Sequence, residues 1–281
     1  MHPSCLSRDL EQSEASCAVT ARARRSYDLR SMVELQYPEA PTFLIIGAHR
    51  AATRWLRINL GYHPNVFVLP YEAEYFTDEE ALHTLGPSGY MKLFKGWQGE
   101  PFVGESSHQY SQPLYEPAKV AGRIYFAFPN VRILFIIRNP YDRAFSAMLE
   151  AVRRGQLPPD SRMDQLDLET LQRLQLFDNS AYEWTIGPFQ TVMEDKFKVL
   201  VYDDLLADPQ DFYDQALEHI GLEPGYKPKD LNERLYSSRR MRTAIPEPDA
   251  EHRRSMLAFW EKTTEHTERL LGRELPGWHP S

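Results

Sequence analysis

The sequence predicts an α/β protein with a three-layer αβα arrangement and a central parallel sheet. Two apolar, β-branched runs, TFLII (42–46) and VRILFII (131–137), have the unbroken hydrophobicity of strands covered on both faces. Each leads through a short turn into a stretch of helical periodicity. A third run, KFKVLVY (196–202), also precedes a helical stretch. Strands alternating with helices imply parallel pairing, because the return path across a sheet face is a helical crossover.

Taken in order, residues 1–40 show no strong periodicity and are expected to be a flexible extension ahead of a single domain over 41–281. The segment ARARRSYDLR (21–30) is Arg-rich, but Asp9, Glu11, Glu14 and Asp28 argue against an organellar transit peptide. After the first strand, Gly47 marks a tight turn, and Trp55, Leu56, Ile58 and Leu60 recur at helical spacing. Phe102-Val103 is a short strand candidate, and residues 113–127 read as a helix. The strand at 131–137 is followed by Asn139 and Pro140, an N-cap and first-turn pair. Phe145, Met148, Leu149 and Val152 then give the next helix an apolar face. LPPD (157–160) is a loop. PQDFYDQALEHIGL is a helix closing near Gly221, and one last long helix is predicted over 249–271.

Composition narrows the function. A chain of 281 residues can bury a full core, and a net charge of −8 argues against a general nucleic-acid binder. Cys5 and Cys17 both lie in the polar N-terminal stretch, so neither a disulfide framework nor a cysteine metal site is supported. The nine histidines are scattered, and no metal is expected. No apolar run is long enough to span a bilayer and no secretory leader is recognisable, so a cytoplasmic protein is expected.

Basic residues therefore matter where they cluster. The order strand, basic turn, helix at TFLIIGAHRAATRWLRI aims free backbone N–H groups and a positive helix end at the turn, an arrangement suited to phosphate. The Walker A pattern requires Gly-Lys before the Ser/Thr. Here Ala52 precedes Thr53 and the nearest basic residue on that side is Arg50, which disfavours an ordinary ATPase, GTPase or nucleotide kinase. In RNPYDRAFS, Arg138 closes a strand and Ser146 lies early on the following helix. Ligands of open α/β sheets bind at the carboxyl ends of strands, so this is a second phosphate site beside the first. A nucleotide with phosphates at both the 5′ and 3′ positions fits the two.

On these segments the chain resembles the sulfotransferase family, and its heparan-sulfate-type branch more than the cytosolic aryl branch. The resemblance covers roughly residues 41–279 and implies a P-loop-NTPase-like topology. It also implies 3′-phosphoadenosine 5′-phosphosulfate (PAPS) as sulfuryl donor. In that family the first loop, Lys-Gly-Gly-Thr-Arg or similar, binds the 5′-phosphosulfate, which assigns Arg50, Ala51, Ala52, Thr53 and Arg54 to the cofactor. RNPYDRAFS matches the family's 3′-phosphate element and assigns Arg138 and Ser146. EAEYF corresponds to the segment that carries the general base, making Glu72 the catalytic base with Arg50 as catalytic cation. GESSHQY (104–110) is similar to the acceptor-side segment, which with Glu74 implies acceptor contacts from Glu74, Ser106 and Tyr110. RRMR (239–242) stands where the family has a basic loop over the nucleotide, giving Arg240 and Arg242, and LAFW…LLGRELPGW is similar to the family's last helix.

Five positions depart from the family, in three groups. Arg50 replaces a Lys, so it can neutralise charge but does not readily donate a proton. Ala51 and Ala52 replace glycines, at a cost of ~1–2 kcal/mol wherever φ must be positive. Glu74 replaces a His, and Ser106 stands where several relatives have Lys. A site that loses cations and gains a carboxylate implies a neutral or cationic acceptor, a small molecule or a glycan, in place of a polyanionic chain. The acceptor's hydroxyl or amine would attack sulfur in line. A nucleotide-binding pseudoenzyme acting as sensor or scaffold stays open beside the enzyme.

Overall fold

Five strands, β1 (Phe43–Gly47), β2 (Val66–Val68), β3 (Phe102–Ser106), β4 (Arg132–Ile137) and β5 (Phe197–Val201), form one sheet in the order β2-β3-β1-β4-β5. Every pairing is parallel, as the alternation of strands and helices predicts. The computed structural model describes residues 41–232 and 250–280. The chain divides into two units, Met1–Gln36 and Tyr37–Ser281, and all described residues lie in the second. The extension expected over 1–40 and the loop with Arg240 and Arg242 fall outside the described residues.

Helices flank the sheet. They are α1 (Thr53–Leu60), α2 (Glu79–Met91), α3 (Pro117–Ala127), α4 (Pro140–Arg153), α5 (Leu168–Arg173), α6 (Glu183–Met193), α7 (Tyr202–Ala207), α8 (Pro209–Ile220), α9 (Ala250–Phe259) and α10 (Glu261–Leu271). Among them no helix is long and apolar enough to cross a membrane. All of β1 is buried, as is β4 beyond Arg132, so their continuous apolar runs report two covered faces. Burying each Leu, Ile or Phe of this kind contributes about 1.5–3 kcal/mol. Gly104 lets the Phe43 ring cross the sheet: a Cβ there would sit 2.4 Å from that ring.

Two expected helices are broken. Over 113–127 the chain makes a 3₁₀ turn, Pro113–Tyr115, and restarts as α3 after Glu116, whose φ is 54°. Pro117 explains the break, since a residue before proline is driven out of the right-handed helical region. The helix expected over 249–271 is divided at Trp260, which is 1% exposed and packs its ring against Phe177 and Phe259. The sequence reading also passed over β2, α2, α5, α6 and α7.

Strand order fixes where the loops meet. From β1 the chain builds β2 and β3 on one side, then crosses to β4 and β5 on the other. The carboxyl end of β1 is thus the switch point, where such sheets open a crevice. Two backbone bonds hold the crevice rims on β1: Ala48 N–H donates to Ile136 O (2.7 Å) and Ser107 N–H to Ile45 O (3.0 Å).

Candidate active site

The turn after β1 is built without a side-chain cap. Ala52, at the N-cap of α1, has φ 68° and makes no capping hydrogen bond, and the first turn holds no acidic residue. Its N–H groups and the positive helix end therefore face the crevice without a neutralising partner of their own. Of the two alanines in the position of the family's glycines, Ala52 is the one held at positive φ; Arg50 (φ 69°) is strained likewise. Gly47 is obligatory. Its φ is 142°, and a Cβ would come within 2.0 Å of Ser111 Oγ.

The expected second phosphate site forms beside it. Asn139 caps α4 by accepting from Asp142 N–H (3.2 Å), with Pro140 in the first turn, as its sequence predicts. Arg138 is clamped by Tyr182, whose hydroxyl donates to Arg138 O (2.5 Å) and accepts from Arg138 N–H (3.2 Å). The Arg138 guanidinium lies 4.6 Å over the Tyr202 ring and donates from Nη1 to Arg50 O (3.1 Å). Ser146 Oγ accepts from Arg50 Nε (3.2 Å), so Arg50 joins the two half-sites across 96 residues of sequence.

The charge balance at this end favours an anion. Arg143, one turn into α4, is fully buried and donates to Ser180 Oγ and Leu176 O. Burial brings its pKa down to about 10, Tyr182 opposes that shift, and Arg138 and Arg50 add to it. Arg143 Nη1 and Arg138 Nε are buried and unpaired. A buried guanidinium N–H without an acceptor is costly. Glu150 supplies counter-charge. Arg153 and Arg154 bind it closely, Arg50 stands at 3.7 Å, and its pKa falls to about 2, chiefly through the Arg153 hydrogen bonds. The Arg50 pKa is lowered by burial, with Glu150 opposing and Arg138 assisting.

Across the crevice stands an acidic group. Glu72 meets His108 Nδ1 through Oε2, their side chains 34% and 23% exposed. The His108 ring stacks on His49 at 4.7 Å, linking this pair to the turn after β1. His49 has its pKa pushed well down by burial and by nearby His108 and Arg143, so it is neutral near pH 7. Glu74 is half-buried; burial and then Glu72 raise its pKa, against the influence of His108 and Gln109. Arg57 Nη1 ties down the segment ahead of Glu72 by donating to Leu69 O (3.0 Å).

The geometry brings together Arg50, Ala51, Ala52, Thr53, Arg138 and Ser146 on the phosphate side, and Glu72 with Glu74 opposite. Arg54, exposed in the first turn of α1, adds charge at its N-terminal end. Tyr110 has another partner. Expected at the acceptor, it is 0% exposed and donates its hydroxyl to Glu105 (2.6 Å), because the turn after β3 directs its side chain into the core. Ser106 is likewise enclosed, 1% exposed within β3. The sequence reading missed His108, Arg143, Tyr182 and Glu150. His108 left a signal, since it lies within GESSHQY (104–110), the stretch similar to the family's acceptor-side segment.

Residues 103–228 match the model described as "Sulfotransferase family". The fold is similar to that of a sulfotransferase from Alicyclobacillus acidocaldarius, with 24% identity and a TM-score of 0.68, over 85% of this chain and 98% of that one. It is also similar to the sulfotransferase domain from the curacin biosynthetic pathway, with 14% identity and a TM-score of 0.51, over 72% of this chain and 80% of that domain. The likeness to the solved structures is one of fold, and the family match covers residues 103–228.

Proposed function

We propose that this chain is a PAPS-dependent sulfotransferase acting on a hydroxyl or amine of a small-molecule or glycan acceptor. The observation that carries the reading is the pair of half-sites at the switch point: an uncapped helix N-terminus after β1 and a cation-rich turn after β4, joined by Arg50. Unpaired Arg138 Nε and Arg143 Nη1 fit a ligand carrying a phosphate there. PAPS, when bound, supplies the sulfuryl group and a nucleotide bisphosphate leaving group.

Thr53, Arg54 and the N–H groups opening α1 would hold the 5′ end, and Arg138 and Ser146 the 3′-phosphate. Arg240 and Arg242 are assigned to the nucleotide on the sequence motif alone. Arg50 neutralises charge that grows on the departing 5′-phosphate, the kind of interaction that contributes most when it strengthens in the transition state. Glu72 takes the acceptor proton. Its contact with His108 also supports a second arrangement, in which Glu72 orients the imidazole and His108 takes the proton. Two carboxylates, Glu72 and Glu74, on the acceptor side favour a neutral or cationic acceptor. The heparan-sulfate-type resemblance belongs to this proposal through its motifs, whereas a polyanionic acceptor does not suit that charge.

The test is a screen of acceptors with labelled PAPS, repeated with Glu72→Gln. Turnover should fall at least ~10²-fold while affinity for PAP, the desulfated product, stays near the parent value. Label transfer unaffected by Glu72→Gln but abolished by His108→Ala would move the base to His108. PAP binding without transfer to any acceptor class would favour the pseudoenzyme.

A further inference from the structure

Beneath the Glu72–His108 contact lies a buried acid that the proposed chemistry does not use. Glu105, in β3, is 0% exposed. Carboxylates are seldom buried so completely, and then usually beside a cation. Here four neutral donors converge instead. Oε1 accepts from the hydroxyls of Tyr110 (2.6 Å) and Tyr90 (3.2 Å). Oε2 accepts from Ser107 Oγ (2.6 Å) and from the Ala73 amide (3.2 Å). Two donors for each oxygen match the acceptor capacity of an ionised carboxylate. Burial raises the Glu105 pKa, and the four hydrogen bonds pull it back.

The origin of the donors gives the arrangement its meaning. Ala73 adjoins Glu72, and Ser107 adjoins His108. Ser107 Oγ also accepts from the Glu74 amide (2.9 Å). The segment carrying Glu72 and the turn carrying His108 are therefore fastened to the same carboxylate, although Glu72 and His108 are 36 residues apart. Tyr90 adds a link to α2. A hub of this kind fixes the relative placement of two reacting groups, and small displacements of such groups carry large rate penalties.

We propose that Glu105 is a positioning residue for sulfuryl transfer: it holds the Ala73 amide and the Ser107 hydroxyl so that Glu72 and His108 meet at the acceptor. This rests on the sulfotransferase reading above. Gln can stand in for Glu105, because its carbonyl oxygen serves Ala73 and Ser107 while the tyrosine hydroxyls turn to accept from its amide. Ala cannot.

The experiment compares Glu105→Ala, Glu105→Gln and Ser107→Ala with the parent. It reads turnover at saturating PAPS, PAP affinity by calorimetry, and amide hydrogen exchange. Glu105→Ala should lose at least ~30-fold in kcat with PAP affinity within about threefold of the parent. Exchange at the Ala73 amide should quicken at least ~10-fold while amides of β1 and β4 keep their protection. Glu105→Gln should recover most of the lost turnover. If Glu105→Ala does not fold, Ser107→Ala carries the test, with the same split at ~5–10-fold in kcat and faster exchange at the Glu74 amide. Parent-like turnover in a folded variant overturns the proposal. So does a fall in kcat, PAP affinity and protection throughout the sheet together, which is the signature of a core residue only. A parent that transfers no label from PAPS overturns the sulfotransferase reading instead; selective Ala73 exchange in Glu105→Ala would then still support the anchoring.

Discussion

The two strand-to-helix turns that meet at the crevice are built in opposite ways. The turn after β4 closes its own helix: Asn139 accepts from Asp142 N–H, Pro140 needs no donor partner, and Asp142 suits the helix dipole. The turn after β1 leaves its helix uncapped and holds Arg50 and Ala52 at positive φ. One turn is satisfied along its backbone and offers side-chain cations. The other is locally unsatisfied and strained, and it presents backbone. Strain and missing caps that persist in a well-packed fold point to a ligand that completes them. The proposed function uses that difference, with the reacting phosphate at the first turn and the recognition phosphate at the second.

Substitutions can break or sharpen that contrast. Arg50→Ala should show the largest effect, a loss of ~10²–10³-fold in turnover at saturating PAPS, with Arg50→Lys recovering much of it. Should single-turnover measurements find the parent rate in Arg50→Ala, both turns are docking features and the contrast fails. Arg138→Ala should act on binding. Calorimetry should show that the preference for PAP over 5′-AMP shrinks by ~1.5–3 kcal/mol, the range for a charge-assisted contact. Equal affinities of the parent for PAP and AMP would remove the basis for the second half-site.

The smaller effects concern stability and have opposite signs. Asn139→Ala removes the cap and the Nδ2 bond to Gly277 O (2.8 Å), so denaturant unfolding should report a loss of ~1–2 kcal/mol. Ala52→Gly relieves a left-handed alanine, worth ~1–2 kcal/mol, but adds freedom to the unfolded chain, worth ~0.4–1 kcal/mol. A net gain of up to about 1.6 kcal/mol is expected, with PAP affinity unchanged. Destabilisation by Ala52→Gly would mean that the Ala52 methyl packs usefully and that the turn is not under strain.

Much of this arrangement was legible in the residues. The runs 42–46 and 131–137 read as strands covered on both faces, because so unbroken and short an apolar stretch, rich in β-branched residues, fits burial on each side. The cap at Asn139 and the stop at Gly221 are local chemistry and were read correctly. Trp260 was not: a helix-compatible residue interrupts α9 and α10 because its ring is needed in the core beside Phe177. Likewise Tyr110 sits in a motif that suggests the acceptor, yet its hydroxyl is claimed by Glu105.

By itself, the sequence determined the strands β1, β3, β4 and β5, the two basic strand-to-helix turns and the residue types they carry, since periodicity, capping and charge act over a few neighbours. Only the tertiary structure decided that Arg50 reaches Ser146, that Glu72 meets His108 and that Glu105 lies buried beneath both. Those pairs are 96, 36 and, for Glu105 with Ala73, 32 residues apart. What brings them together is strand order: β1 lies between β3 and β4, and parallel pairing stacks the loops after all three strands at one end of the sheet. Strand order is set by nonlocal packing and crossover handedness, for which no short stretch of chain carries a signal.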